Sequence, residues 1–146
     1  MSDLLLDSKV GTKFRDAILL YLGEGEQIFN VVDDTGLSIG ADSGPSILGG
    51  VMIVTSDRLL LAKPKLMGRG LNWWWLKWAD VAQMGSQGPH FAVVATHKEV
   101  WKIYHKDEDP IRLLLATMNE AHTLAQKAKA ASGDEQMEEL RRRRGF

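Results

Sequence analysis

The sequence predicts an α+β domain: a curved antiparallel sheet or partly open barrel of six to seven strands, closed by a C-terminal amphipathic helix and preceded by an extra N-terminal helix. Three observations carry this. Short apolar, β-branched-rich runs recur between Glu26 and Tyr104 with Gly, Pro and Ser-Asp punctuation. A single long stretch after Asp109 repeats apolar residues at three-to-four spacing, and 146 residues at 45% hydrophobic composition are enough for one core.

The N-terminal helix is expected over about 12–22, with Thr12 as its cap, Phe14, Ala17, Ile18, Tyr21 and Leu22 on one face, and Gly23 as its stop. Glu26 to Val32 reads as the first strand. Asp33 to Ser46, interrupted by Gly36, Gly40, Gly44 and Pro45, reads as a long loop or a short strand between turns. Ile47–Thr55 and Arg58–Lys63 form a hairpin about Ser56-Asp57, and the aromatic run Leu71–Trp78 follows the breaker segment Ala62–Gly70. Asp80–Met84 continues or bends that strand, and Phe91–Thr96 with Val100–Tyr104 makes a second hairpin. Asp109 caps the last helix, Pro110 occupies its first position, and Ser132-Gly133 is expected to stop it near Ala131. One domain over 1–133, with its core at about 24–131, then precedes a charged helical or flexible tail over 134–146.

Charge and composition narrow the function classes. Eighteen basic and 19 acidic residues give a net charge of -1, so no global field favours nucleic acid. The Arg141–Arg144 run, preceded by Asp134, Glu135, Glu138 and Glu139, suits the end of a helix dipole. Zero cysteines remove disulfides, thiolate metal sites and cysteine nucleophiles, and they favour a cytoplasmic address. Leu4–Leu6 is too short for a leader, and no stretch approaches the ~18 apolar residues of a membrane span.

The residues also resemble a family. Gly50-Val51-Met52-Ile53-Val54-Thr55-Ser56-Asp57-Arg58-Leu59-Leu60-Leu61 is similar to the strand, threonine, turn, Arg-Leu and strand pattern of bacterial pleckstrin-homology-like (PH-like) and GRAM-like domains. Gly25-Glu26-Gln27-Ile28 resembles the opening of their first strand, and Trp78-Ala79-Asp80-Val81 a later step of their sheet. The resemblance spans about Leu20 to Ala131. It implies a PH-like fold and a binding or assembly module acting on membranes, peptides or copies of itself, rather than an enzyme.

The candidate sites follow from local chemistry. Phosphoinositide-binding members of the wider superfamily carry Lys and Arg after the first strand, whereas residues 33–43 here hold Asp33, Asp34 and Asp42 and no base. No headgroup is therefore expected at that loop. Alternation puts Trp74, Leu76 and Trp78 on one face of their strand, and Trp73, Trp75 and Lys77 on the other. One face is core, and the other needs a cover from the first helix, the tail or another molecule. Trp73, Trp75 and Lys77 are accordingly the expected protein-interaction residues, with self-association the first form to test. The alternative is peripheral attachment to anionic membrane through Lys63, Lys65 and Arg69 with the same tryptophans. A third reading, a serine hydrolase on the Gly36-Leu37-Ser38-Ile39-Gly40 elbow, lacks the required strand before and helix after. His90, His97 and His105 do not match metal spacing, Asp107-Glu108-Asp109 suits a helix start, and the glycines at 36, 40 and 44 lack a phosphate-loop ending. No catalytic residue, metal or cofactor is expected.

Overall fold

The protein is described by a computed structural model covering residues 4–40, 47–66 and 70–143, with side chains as far as Ala131. Seven strands, β1 Ile28–Ile39, β2 Ile47–Thr55, β3 Arg58–Pro64, β4 Leu71–Lys77, β5 Val81–Ser86, β6 Phe91–Thr96 and β7 Val100–Tyr104, are joined by antiparallel pairing in the order β4-β3-β2-β1-β7-β6-β5. β4 and β5 do not pair, so the sheet is open at that seam. A short 3-10 turn, Trp78–Asp80, carries the chain between them.

β1 differs most from expectation. The segment read as a loop from Asp33 is strand as far as Ile39. Three register shifts against β2 and a positive φ of 53° at Asp34 bend it, and its last four residues, Gly36–Ile39, pair with Tyr104–Trp101 of β7. The polar residues are absorbed by this bend. Thr35 Oγ1 donates to Val32 O at 2.9 Å, and Asp33 serves a helix cap on its outer side. The strand ends at Ile39, and residues 41–46 lie outside the described residues. Asp33 and Asp34 therefore do not belong to a loop, and Asp42 lies outside the described residues, so the expected exclusion of a headgroup no longer rests on three loop carboxylates.

Both faces of the β1–β4 half are covered. On the inner face, Met52, Val54, Leu59, Leu61, Leu76 and Trp78 meet Ile111, Leu114, Met118 and Ala121 of the closing helix α3, Glu108–Arg143. On the outer face, Val51, Ile53, Leu60 and Ala62 meet Leu5 and Ile18 of an N-terminal layer. The continuous apolar runs Gly50–Thr55 of β2 and Leu59–Ala62 of β3 follow from this double burial, since both faces of these stretches are covered.

The N-terminal layer is not one helix over 12–22. After a 3-10 turn at Leu4–Asp7 come α1, Lys9–Lys13, and α2, Arg15–Tyr21, broken at Phe14 with φ -113° and ψ 23°. Thr12 does not cap it. Ser8 does, accepting from Gly11 N at 2.8 Å while donating to Asp33 Oδ1 at 2.6 Å; Asp33 Oδ2 takes Lys9 N at 2.9 Å. Gly11 is required where helix propensity would disfavour it, because a Cβ there would lie 2.5 Å from Leu5 O. Val10, Phe14 and Ile18, at i, i+4 and i+8, all pack against the outer face of the sheet.

α3 starts at Glu108 and passes through Ser132-Gly133 to Arg143, against the expected stop. One glycine costs about 1 kcal/mol in a helix, and the strong helix formers from Glu135 to Arg141 continue the turn regardless. The side chains of the arginine run, and Arg144 itself, lie outside the described residues. Among those described, no helix is long and apolar enough to cross a membrane.

Candidate functional site at the free edge of the sheet

The aromatic strand β4 stands at one end of the sheet order, with β3 as its sole strand partner among the described residues. Alternation sorts its side chains as the sequence implies. Leu76 joins the inner core, Trp74 packs against it, and Trp78, just past the strand, is buried with Nε1 donating to Thr55 O at 2.8 Å. On the outer side, Leu71 and Trp73 pack into the N-terminal layer, and the Trp73 ring stacks on Tyr21 at 3.9 Å with an interplanar angle of 7°. Trp73 thus finds its cover within the chain. Trp75 is 44% exposed, and Lys77 beside it is exposed.

Trp75 is nevertheless held. The Arg58 guanidinium lies 5.4 Å from its ring centroid and 5.0 Å from that of Tyr21, which links Trp73, Tyr21, Arg58 and Trp75 in a ladder of rings and one cation. Arg58 is fixed in turn by Glu26, with Nε to Oε2 at 3.0 Å and a terminal nitrogen to Oε1 at 3.1 Å, and by Tyr21 O at 3.0 Å. Thr55 Oγ1 donates to Glu26 Oε2 at 2.5 Å and Gly23 N to Oε1 at 2.8 Å. Glu26 is 1% exposed and Arg58 16%. Burial by itself raises the Glu26 pKa. The Arg58, Thr55 and Gly23 hydrogen bonds, with the Arg58 charge, outweigh burial and hold the carboxyl below its ordinary value.

Between the end of β4 and the β6–β7 turn lies a hollow of about 300 Å³, lined by Trp75, Leu76, Lys77 and Asp80 on one side and Thr96–Glu99 on the other. The far wall is stiff. Thr96 Oγ1 accepts from Lys98 N and Glu99 N, Thr96 N donates to Glu99 O at 2.9 Å, and Glu99 Oε1 takes Trp101 Nε1 at 3.1 Å.

Of the basic residues proposed for membrane contact, Lys63 faces Asn72 across the β3–β4 ladder, whereas Lys77 faces Arg58. Five residues, about 17 Å of strand, separate the two positions. Lys65 is exposed in the loop that its N–H closes onto Gly70 O at 3.1 Å, and Arg69 lies outside the described residues. Lys63 thus stands near the start of β4, one position from Trp73 and about 10 Å along the strand from Trp75. Ser38 sits inside β1 opposite Lys102 of β7, in extended backbone and not at a strand-to-helix turn, so the nucleophile-elbow geometry is absent there. His105 accepts from Asp107 N through Nδ1 at 3.0 Å, which leaves Nε2–H to donate to Asp33 O at 3.0 Å. His90 and His122 likewise bond to backbone carbonyls. Glu26, Thr55 and Arg58 were visible in the sequence as motif residues. Their joint role was not, because nothing in their spacing announces a meeting with Tyr21.

No family model matches the chain, and no curated protein matches it. Solved structures do. The Vps36 N-terminal PH domain superposes with a TM-score of 0.57 at 18% identity, over 72% of this chain and 86% of that one. The truncated linker-DH/PH domains of p115-RhoGEF give 0.56 at 10% identity, over 84% of this chain and 34% of that one. A chain of the 8S snRNP assembly intermediate gives 0.52 at 14%, over 66% and 83%. Identities this low speak to the fold alone, and the open seven-stranded antiparallel sheet with its C-terminal helix is a PH-like fold.

Proposed function

We propose that this chain is a non-catalytic, cytoplasmic protein-interaction module whose contact surface is the end of β4 around Trp75 and Lys77. The observation that carries this is a large aromatic, 44% exposed, fixed by Arg58 on an edge strand with no partner beyond β3 among the described residues, beside a hollow. A pre-positioned tryptophan loses little freedom on binding, which is why such residues dominate interface energetics. Trp73 contributes as the buried support of the ladder. The PH-like neighbours fit a binding module without naming its ligand. The test is capture from lysate with three baits: wild type, Trp75→Ser, and Lys63→Glu with Lys65→Glu. The expected result is that Trp75→Ser alone loses the retained proteins. A Trp75→Ser bait that retains the wild-type set would overturn the surface.

A second reading, attachment to anionic membrane, has its own observation. Leu66 is 96% exposed next to Lys65, and exposed Leu48, Ile39 and Val100 sit at the same end of the sheet, since Ile39 pairs with Trp101 and Gly40 N donates to Val100 O. Apolar tips beside lysines suit a charged interface. Flotation with phosphatidylserine vesicles should then fall in Leu66→Ser and in raised salt. Equal flotation of wild type and Leu66→Ser discards this reading.

A further inference from the structure

The two terminal strands of the sheet are protected to different degrees. β5 has a register shift between Val81 and Gln83 and a glycine at 85, and its first carbonyl, Val81 O, is 3.2 Å from His122 Nε2 of α3. These are the devices by which edge strands avoid pairing: irregularity and cover. β4 has neither. It makes seven consecutive pairs with β3 without a shift, contains no glycine or proline, and carries one charge, Lys77, at its end. No described residue outside β3 hydrogen-bonds to the backbone of 71–77. The outward N–H and C=O groups of such a strand ask for an extended segment with matching alternation.

β4 itself meets that request. We propose that the free edge of β4 pairs with β4 of a second copy, antiparallel about a two-fold axis at Trp74, so that the sheet continues from one copy into the other. The proposal rests on the reading of β4 as the contact surface. In this register Trp75 of each copy lies opposite Trp73 of the other, beside the ring that Tyr21 already holds, and the aromatic pair forms twice. Asn72 meets Leu76 and Leu71 meets Lys77. A slip of one residue would turn the outer tryptophans against inner positions. A parallel arrangement would set Lys77 against Lys77, whereas the two-fold register holds the two Lys77 Cα atoms about 21 Å apart. Like charges are thereby kept apart by the same symmetry that pairs the rings.

The chain has no cysteine, so Lys77→Cys accepts a single nitroxide per copy. Light scattering of the full chain over a dilution series is expected to approach twice 16.3 kDa, with Trp75→Ser weakening association at least tenfold. Dipolar spectroscopy on labelled Lys77→Cys should report one short separation, consistent with Cα atoms about 21 Å apart. A mass of 16.3 kDa at every concentration overturns the self-pairing. So does a dimer whose labels are more than about twice that distance apart. Neither result touches the parent reading, which stands or falls on whether Trp75→Ser loses captured partners.

Discussion

The two layers that cover the sheet are built on different principles. α3 is a long helix whose inner residues Ile111, Leu114, Met118 and Ala121 recur at helical spacing and bury themselves against strands from across the sheet. The N-terminal layer is two helices of five and seven residues, each too short to be stable alone. Polar locks from distant strands hold it: Asp33 at the Ser8 cap, and Arg58, fixed by Glu26, on the Tyr21 carbonyl and ring. Both layers bury apolar area, Leu5 and Ile18 in the N-terminal one, but only the N-terminal layer depends on a few addressable bonds to hold helices this short in place. That layer should therefore open locally before the domain unfolds.

The largest expected effect tests the apolar layer. Leu114→Ala empties a fully buried site and should cost about 4 kcal/mol, lowering Tm by on the order of 10 °C in one cooperative transition. Arg58→Met should cost about 3 kcal/mol by stranding buried Glu26, and here hydrogen exchange at Lys9–Tyr21 should accelerate before that of α3. Uniform acceleration would erase the distinction between the layers. Acid supplies a third test. The Glu26 carboxyl has a lowered folded pKa, so its contribution is present above its unfolded value and is lost as pH falls through the folded one. Wild-type stability should accordingly fall below the usual carboxylate range more steeply than that of Glu26→Gln, measured by denaturant midpoints at each pH. Ser8→Ala should cost about 1 kcal/mol, visible as faster exchange in α1 with α3 unchanged. No larger is Trp75→Ser, about 1 kcal/mol in stability, because the ring gives up its Arg58 contact but is 44% exposed. A larger loss would move Trp75 from the contact surface into the covering layer.

These differences also explain what could be read in advance. The strands β2, β3, β6 and β7 and the core half of α3 follow local rules of alternation, turn chemistry and helical spacing, and the structure places them within a residue or so of expectation at most ends. The faces of β4 followed too. The continuation of β1 through Asp33-Asp34 was hidden because two acidic residues and a glycine imitate a loop. Their place in the sheet depends on Ser8, Lys9 and His105, which lie 25, 24 and 72 residues away. The break at Phe14 and the Ser8 cap were hidden for the same reason. One signal was available: the unbroken apolar runs of β2 and β3 announce a sheet covered on both sides.

Sequence alone determined that this is an antiparallel sheet closed by a late helix, that Trp74, Leu76 and Trp78 share a face opposite Trp73, Trp75 and Lys77, and that no thiol chemistry is available. Tertiary structure decided which tryptophan stays in solvent. Trp73 and Trp75 are equivalent by alternation, and they part company because Tyr21 ends α2 over one while the other is left to Arg58 and the open seam. Alternation assigns a side chain to a face. Only packing between segments far apart in sequence decides what covers that face.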